Sequence, residues 1–150
     1  MAKFTSHKIL TELNLIICNF QGDISIREVM ALNLEFINDP KFNPLFNVLL
    51  DFRNSSAIGF RLDITDYVTF FKKNISLKEK VQVGIVYSTP NQEFLLKFYK
   101  GFGKLLNLDI ESFKQIAPCL EWLNFSENDA TLVTNTLNSI KSSSTDLLFK

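Results

Sequence analysis

Asp51 and Arg53 are the charged residues whose types and spacing are best suited to binding chemistry in this sequence. They lie two positions apart at the end of the apolar run Phe46–Phe52, and residues two apart on a β-strand point to the same side. Such a pair either contacts an anion or a partner protein, or forms an ion pair that fixes the following loop. The ion pair is the favoured interpretation, because structural pairs often occupy such positions.

Three polar loops are expected to meet at the carboxyl edge of a parallel sheet, where open α/β sheets bind ligands. They are residues 21–23, 53–56 and 88–91. Asp23, Ser88, Thr89 and Asn91 are therefore candidates for an anion- or ligand-binding edge. Two of the segments lead into predicted helices, whose free amides attract anions. Ser25 and Thr89 also fit the simpler role of helix caps, and that role is favoured.

A catalytic or metal centre is not expected. The single histidine, His7, lies near the N-terminus, where a surface position is predicted, and any Ser-His-Asp or histidine-based metal site would have to recruit it. The sequence has no Cys-x-x-Cys motif, no glycine-rich phosphate loop and no Gly-x-Ser-x-Gly elbow. We therefore expect no catalytic residue, no metal ligand, no cofactor and no enzymatic activity.

The charge balance argues against a nucleic acid as the partner. The chain has 16 basic and 16 acidic residues, whereas nucleic-acid-binding domains carry a strongly basic surface. No apolar window approaches the roughly 18 residues of a membrane helix, and no signal peptide is expected. Cys18 and Cys119 do not form a disulfide framework, so a reducing compartment, the cytoplasm, is predicted.

The apolar patterns predict an α/β domain with the order β-β-α-β-α-β-α-β-α and a further C-terminal helix. A turn at Leu13–Asn14 joins the first two strands, which places the first strand antiparallel at an edge, and the other strands are parallel. Helix starts are marked by capping boxes at Ser25–Glu28 and Thr89–Gln92. Another helix is expected to begin at Asp63, after the polar segment 53–57.

Three stretches carry a family resemblance: Phe20–Ser25 (FQGDIS), Asn47–Arg53 (NVLLDFR), and Phe113 with Leu120–Leu123 (LEWL). With the order of elements, they resemble the STAS-like, SpoIIAA-like group, named for anti-sigma-factor antagonists, and most closely its small bacterial single-domain proteins. The resemblance covers Lys8 to Leu123. It implies a mostly parallel mixed sheet with flanking helices, over a domain of residues 1–125, followed by a helix and tail over 126–150.

The resemblance also implies a role in binding partner proteins, which in this family is sometimes switched by phosphorylation of a serine before the second helix. Ser55 and Ser56 lie in the matching segment, next to Arg53 and Asp51. These four residues form the candidate phosphorylation or partner-contact loop. A non-enzymatic regulatory or protein-interaction module is the function expected.

Two apolar surfaces leave further alternatives open. The helix predicted over Ser126–Lys141 has a stripe that can pack on its own domain or on a second copy, so a homodimer is one alternative. The serines after it, 142–144, predict a flexible tail. The stripe consists of Leu132, Val133, Leu137 and Ile140.

Aromatic residues on two predicted helices are more numerous than one buried stripe can hold. Apolar surface left exposed by them would suit a partner or a lipid. The alternative function is therefore a carrier of a small apolar or lipid-like ligand. The aromatic residues are Phe70, Phe71, Phe94, Phe98, Tyr99 and Phe102.

Overall fold

The protein folds as a mixed five-stranded sheet with helices on both faces. The computed structural model describes residues 4–57, 60–75, 79–89, 92, 100, 103 and 106–148. The strands are β1 Phe4–Leu10, β2 Leu15–Ile24, β3 Asn47–Ala57, β4 Val81–Val86 and β5 Leu108–Phe113. The helices with defined bounds are α1 Ile26–Ile37, α2 Phe60–Asn74, α3 Ile116–Trp122 and α4 Glu127–Leu148.

The strands lie side by side in chain order, β1-β2-β3-β4-β5. β1 is antiparallel to β2, and the other neighbouring pairs are parallel. The predicted fold class and the antiparallel edge strand are therefore confirmed. The helix predicted from Thr89 falls largely outside the described residues, although Gln92, Lys100 and Gly103 are helical.

Each face of the sheet has its own apolar core, because side chains alternate along a strand. On the first face, Phe20, Leu50 and Ile85 pack with residues of α1 and α2. On the second face, Leu15, Ile17 and Leu49 pack with residues of α3 and α4. The stacked rings of Phe20 and Phe52, with centroids 4.3 Å apart, lie in the first core.

α1 begins as the sequence predicts. The Arg27 amide donates to Ser25 Oγ over 3.2 Å, and the Ser25 amide donates to Glu28 Oε2 over 2.7 Å. The Ser25 side chain also accepts from the Glu28 amide, and this bond with the Ser25-to-Glu28 bond forms the expected capping box. α2, by contrast, begins at Phe60 rather than at Asp63.

Two segments predicted as loops are strand. β2 continues through residues 21–23 to Ile24, and β3 continues through residues 53–56 to Ala57. The two extensions pair with each other, Gly22 with Ser55 and Asp23 with Ser56. Polar composition suggested loops, but the parallel ladder satisfies the backbone groups that a loop would expose to water.

α4 packs on its own domain. Val133 and Leu137 are fully buried in the second core, so the apolar stripe is largely satisfied without a second copy. Leu132 remains 38% exposed. The helix continues to Leu148, through the serines for which the sequence predicts a flexible tail.

The contact between α3 and β4 leaves no room for a side chain at Gly84. A Cβ atom there would lie 2.6 Å from Cys119 Sγ, so we expect Gly84→Ala to lower the free energy of unfolding by about 1–3 kcal/mol. Urea unfolding measures the loss. Cys119→Ala removes the sulfur, and the double variant should therefore be more stable than the sum of the two single losses implies. Strict additivity would contradict this close contact.

Candidate functional site

β2 and β3 extend beyond their neighbours at the carboxyl edge of the sheet. The β1–β2 register ends at Phe4 with Gln21, and the β3–β4 register ends at Asp51 with Val86. β2 and β3 stay paired as far as Ile24 with Ala57. Within the described part of the chain, they therefore form a two-stranded ribbon that projects past the sheet.

A β-bulge in β3 sets which ribbon side chains are accessible. From Asn19 to Gln21, β2 advances two residues, while β3 advances three, from Asp51 to Asn54. The extra residue reverses the alternation of side chains. Ser55 is consequently buried, and its hydroxyl donates to the Phe52 carbonyl over 2.8 Å. Ser56 is exposed beside Asp23.

Asp51 is the buried charge at the base of the ribbon. Its side chain is 1% exposed, and it accepts hydrogen bonds of 3.0 Å from Arg53 Nε and Nη2, and one of 3.0 Å from the Arg53 amide. Lys141 Nζ of α4 lies 2.7 Å from Asp51 Oδ2. Asp51 and Arg53 therefore form the ion pair that the sequence favours. Lys141 is a third member, which sequence spacing could not reveal.

The electrostatics of Asp51 follow from these contacts. Burial by itself would raise the pKa of this carboxyl, but the hydrogen bonds from Arg53 and Lys141 outweigh burial and hold the pKa below its ordinary value. Asp51 is therefore an anion at neutral pH. Its charge, added to burial, raises the pKa of the Cys119 thiol to about 12.

Neither cysteine is a nucleophile at neutral pH. Both are buried free thiols, and the thiolate is the reactive form. Burial, with a contribution from Glu35, also raises the pKa of Cys18. The described residues contain no group of three His, Cys, Asp or Glu side chains placed to hold a metal ion.

Gln92 ties the loop after β4 to the bulge in β3. Its Oε1 accepts hydrogen bonds from the backbone amides of Ser88 and Thr89 over 2.9 and 3.3 Å. The backbone amide of Gln92 donates to Thr89 Oγ1 over 3.3 Å. Its Nε2 donates to the carbonyls of Phe52, over 2.8 Å, and of Ser55. The sequence predicted the cap at Thr89 but missed the bonds to β3.

The capping role therefore describes Thr89 better than anion binding does. Two amides that an anion would contact already donate to Gln92. Ser88 is also engaged, since its hydroxyl donates to the Arg53 carbonyl over 2.8 Å. Asn91, the fourth candidate for this edge, lies outside the described residues.

Among the described residues at this edge, five polar side chains are exposed, from β2, β3 and the loop after β4. They offer hydroxyl, amide and carboxylate groups on a backbone fixed by Gln92 and Ser88. We name them the carboxyl-edge surface: Asp23, Asn54, Ser56, Ser88 and Thr89.

His7 is less exposed than the sequence predicts. It lies in β1 with a side chain 17% exposed, and its Nε2 is 3.1 Å from Asp39 Oδ2. Its Nδ1 is 3.9 Å from the Glu35 carboxylate. The contact joins β1 to the turn after α1, so the histidine has a structural role.

An apolar cavity lies at the opposite edge of the sheet, between the first face and α1 and α2. Its volume is about 50 Å³, and Phe36, Phe42, Phe46 and Phe71 line it. Phe71 is among the aromatic residues proposed from the sequence to hold an apolar ligand. Residues 94, 98, 99 and 102 lie outside the described part of the chain.

Comparison with solved structures identifies the fold. The chain is similar to an uncharacterized protein of the DUF3478 family from Shewanella loihica PV-4, which has a SpoIIAA-like fold. The TM-score is 0.55 at 16% identity, over 82% of this chain and 96% of that protein. No family model and no curated protein matches the sequence. The predicted SpoIIAA-like fold is thus confirmed by structure.

Proposed function

We propose that the chain is a non-enzymatic regulatory module that binds another protein through its carboxyl-edge surface. The observation that carries the proposal is the β-bulge, which turns Ser56 outward beside Asp23 on a projecting ribbon. The hydrogen bonds of Gln92 and Ser88 to β3 maintain this geometry. A fixed polar surface of this kind suits recognition, in which preorganised groups lose little conformational entropy on binding.

The chemistry around the ribbon supports binding rather than catalysis. The Asp51 carboxylate is occupied by Arg53 and Lys141, and the Gln92 amide is occupied by backbone groups. The two thiols are buried and protonated at neutral pH. Among the described residues, the Asp51 carboxylate, the Gln92 amide and the two thiols thus serve the fold.

Ser56 is the serine at which phosphorylation would regulate binding. It is exposed, whereas Ser55 is buried and bonded to the Phe52 carbonyl. Arg53 is the cation nearest to Ser56 in the sequence, but its Nε and Nη2 bond to Asp51. A phosphate on Ser56 would instead add about two negative charges opposite Asp23, and the added charge would weaken binding of a partner that fits the unmodified surface.

Matched substitutions test this switch. Ser56→Asp should leave the free energy of unfolding within about 0.5 kcal/mol of the wild type, because the position is exposed. Ser55→Asp should lower it by at least about 2 kcal/mol, because a carboxylate would be buried against a carbonyl. Thermal unfolding followed by circular dichroism compares the two. Equal losses would contradict the inward and outward orientations of the serines.

The partner surface itself is tested by photo-crosslinking in the native cells. A crosslinker at position 54 or 56, both exposed on β3, should capture the same protein, and Ser56→Asp should reduce its capture from position 54. Glu121, exposed on α3, gives the control position and should not capture that protein. Capture of the same protein at all three positions would contradict the assignment of the surface.

The apolar cavity supports a second function, carriage of a small apolar ligand. Its lining is almost entirely apolar, but an engineered cavity that binds benzene has a volume of about 150 Å³. At about 50 Å³, this cavity would have to widen to take an aromatic ring or an acyl chain. Native mass spectrometry of freshly purified protein separates the functions, since added ligand mass supports carriage.

The cytoplasm is the location we assign to the module. Both cysteines are free and buried, on opposite faces of the sheet, and free thiols persist in a reducing compartment. None of the described helices is long and apolar enough to cross a membrane.

A further inference from the structure

β1 is an edge strand with an open side. It pairs with β2 through seven consecutive register partners, from Phe4 to Leu10, and none of the described strands pairs with its other side. Proline, bulges, very short strands and charged side chains usually protect such an edge. β1 is seven residues long, has no proline or bulge and carries one lysine, Lys8, so its outward N–H and C=O groups can accept another strand.

A groove follows this edge on the second face of the sheet. It has a volume of about 530 Å³ and lies between β1 and α4. Phe4, Ser6 and Lys8, which alternate along β1, line one wall together with the intervening His7. Asn135, Thr136 and Ser139 form the opposite wall. The groove therefore has space for the side chains of an added strand.

An exposed leucine continues the wall formed by α4. Leu132 precedes Thr136 by four residues and Ser139 by seven, so the three lie on one side of the helix. It is one of three large hydrophobic side chains exposed in the described part of the chain, with Leu34 and Leu45. An apolar residue at this position favours a partner that covers α4 together with the strand edge.

We propose that the partner is a second copy of this chain, bound by antiparallel pairing of β1 with β1 about a two-fold axis at Ser6. In this register Lys8 lies opposite the Phe4 ring of the other copy, and Thr5 lies opposite His7. A cation over an aromatic ring is attractive. Centring the pair on Lys8 would instead oppose two ammonium groups, which is destabilising.

The position of α4 fits this dimer. The helix contacts both β1 and β2, and neighbouring strands lie about 4.8 Å apart. If α4 of each copy is centred over its own β1–β2 pair, the two helices lie roughly 10 Å apart across the two-fold axis. This is near the usual helix-packing distance of about 8–10 Å. The pairing would also cover the side of α4 that carries Leu132. A formal net charge of zero gives no long-range repulsion between copies.

Charge substitutions test both the surface and its register. Sedimentation velocity of the full chain, from micromolar to several hundred micromolar, should detect the dimer. Phe4→Lys places two cations opposite each other and should weaken the dimer at least tenfold. Adding Lys8→Glu to that variant creates an ion pair between positions 4 and 8 of the two copies and should restore the dimer. Leu132→Asp should also weaken the dimer, while the control Leu45→Asp should not.

A crosslink tests the axis without weakening the interface. Antiparallel partners have Cα atoms about 4.5–5.5 Å apart, within disulfide range, so Ser6→Cys should form a covalent dimer on mild oxidation. Ser88→Cys, exposed on a different edge, is the control and should not. A full chain that is monomeric throughout the concentration range overturns the proposal. So does a dimer that Phe4→Lys leaves unchanged.

Discussion

Replacing Asp51 with alanine is expected to lower the free energy of unfolding by about 3–5 kcal/mol. The carboxylate is 1% exposed and lies between Arg53 and Lys141. Its loss leaves two cations near the base of the ribbon without the buried anion that holds them. It also releases the ion pair that links α4 to β3. Chemical denaturation of the full chain, with circular dichroism as the signal, measures the effect.

An exposed ion pair of similar length gives the matched control. Lys100 Nζ lies 2.7 Å from Glu111 Oε2, with side chains 51% and 36% exposed. Water and salt weaken such pairs, so Glu111→Ala should cost less than about 1 kcal/mol. A comparable loss in both variants would show that burial of Asp51 does not determine its contribution.

The pH dependence of stability has a definite sign. The folded pKa of Asp51 lies below its ordinary value near 3.8, so the unfolded chain takes up the proton first as the pH falls. The contribution of Asp51 is therefore complete above that ordinary value and is lost as the pH falls through the folded value. Asp51→Ala should remove this part of the acid sensitivity.

Features determined by neighbouring residues could be predicted from the sequence. The caps at Ser25 and Thr89 use partners two or three residues away, and spacing alone indicates them. The antiparallel edge strand follows from a short connection between two apolar runs. The order of strands and helices then restricts the sheet to few topologies, of which the SpoIIAA-like fold is one.

The geometry of the candidate site depends on residues far apart in the chain. Lys141 reaches Asp51 from a helix ninety positions later, and no periodicity indicates such a pair. The bulge is equally hidden, because it is defined by comparing β3 with β2. The segment 53–56 therefore looked like a loop, and Ser55 and Ser56 looked equivalent. Their opposite orientations appear only once the register is known.

Gln92 provides the second large effect that we expect. It is 2% exposed, and its side chain bonds to four backbone groups, the amides of Ser88 and Thr89 and the carbonyls of Phe52 and Ser55. Gln92→Leu keeps the volume but leaves these groups without their partner. Since each buried unsatisfied group costs about 1–3 kcal/mol and some will reach water, we expect a loss of about 3 kcal/mol.

Two further variants separate the functions of this side chain. Thr89→Ala removes only the reciprocal cap and should cost about 1 kcal/mol. Gln92→Glu keeps an acceptor for the two amides but turns a carboxylate oxygen toward the β3 carbonyls, so its loss should fall between the other two. Hydrogen exchange of the amides of residues 54–56 should accelerate in both Gln92 variants and much less in Thr89→Ala. If all three variants lose the same stability, Gln92 acts only as a helix cap, and the ribbon that presents Ser56 does not depend on it.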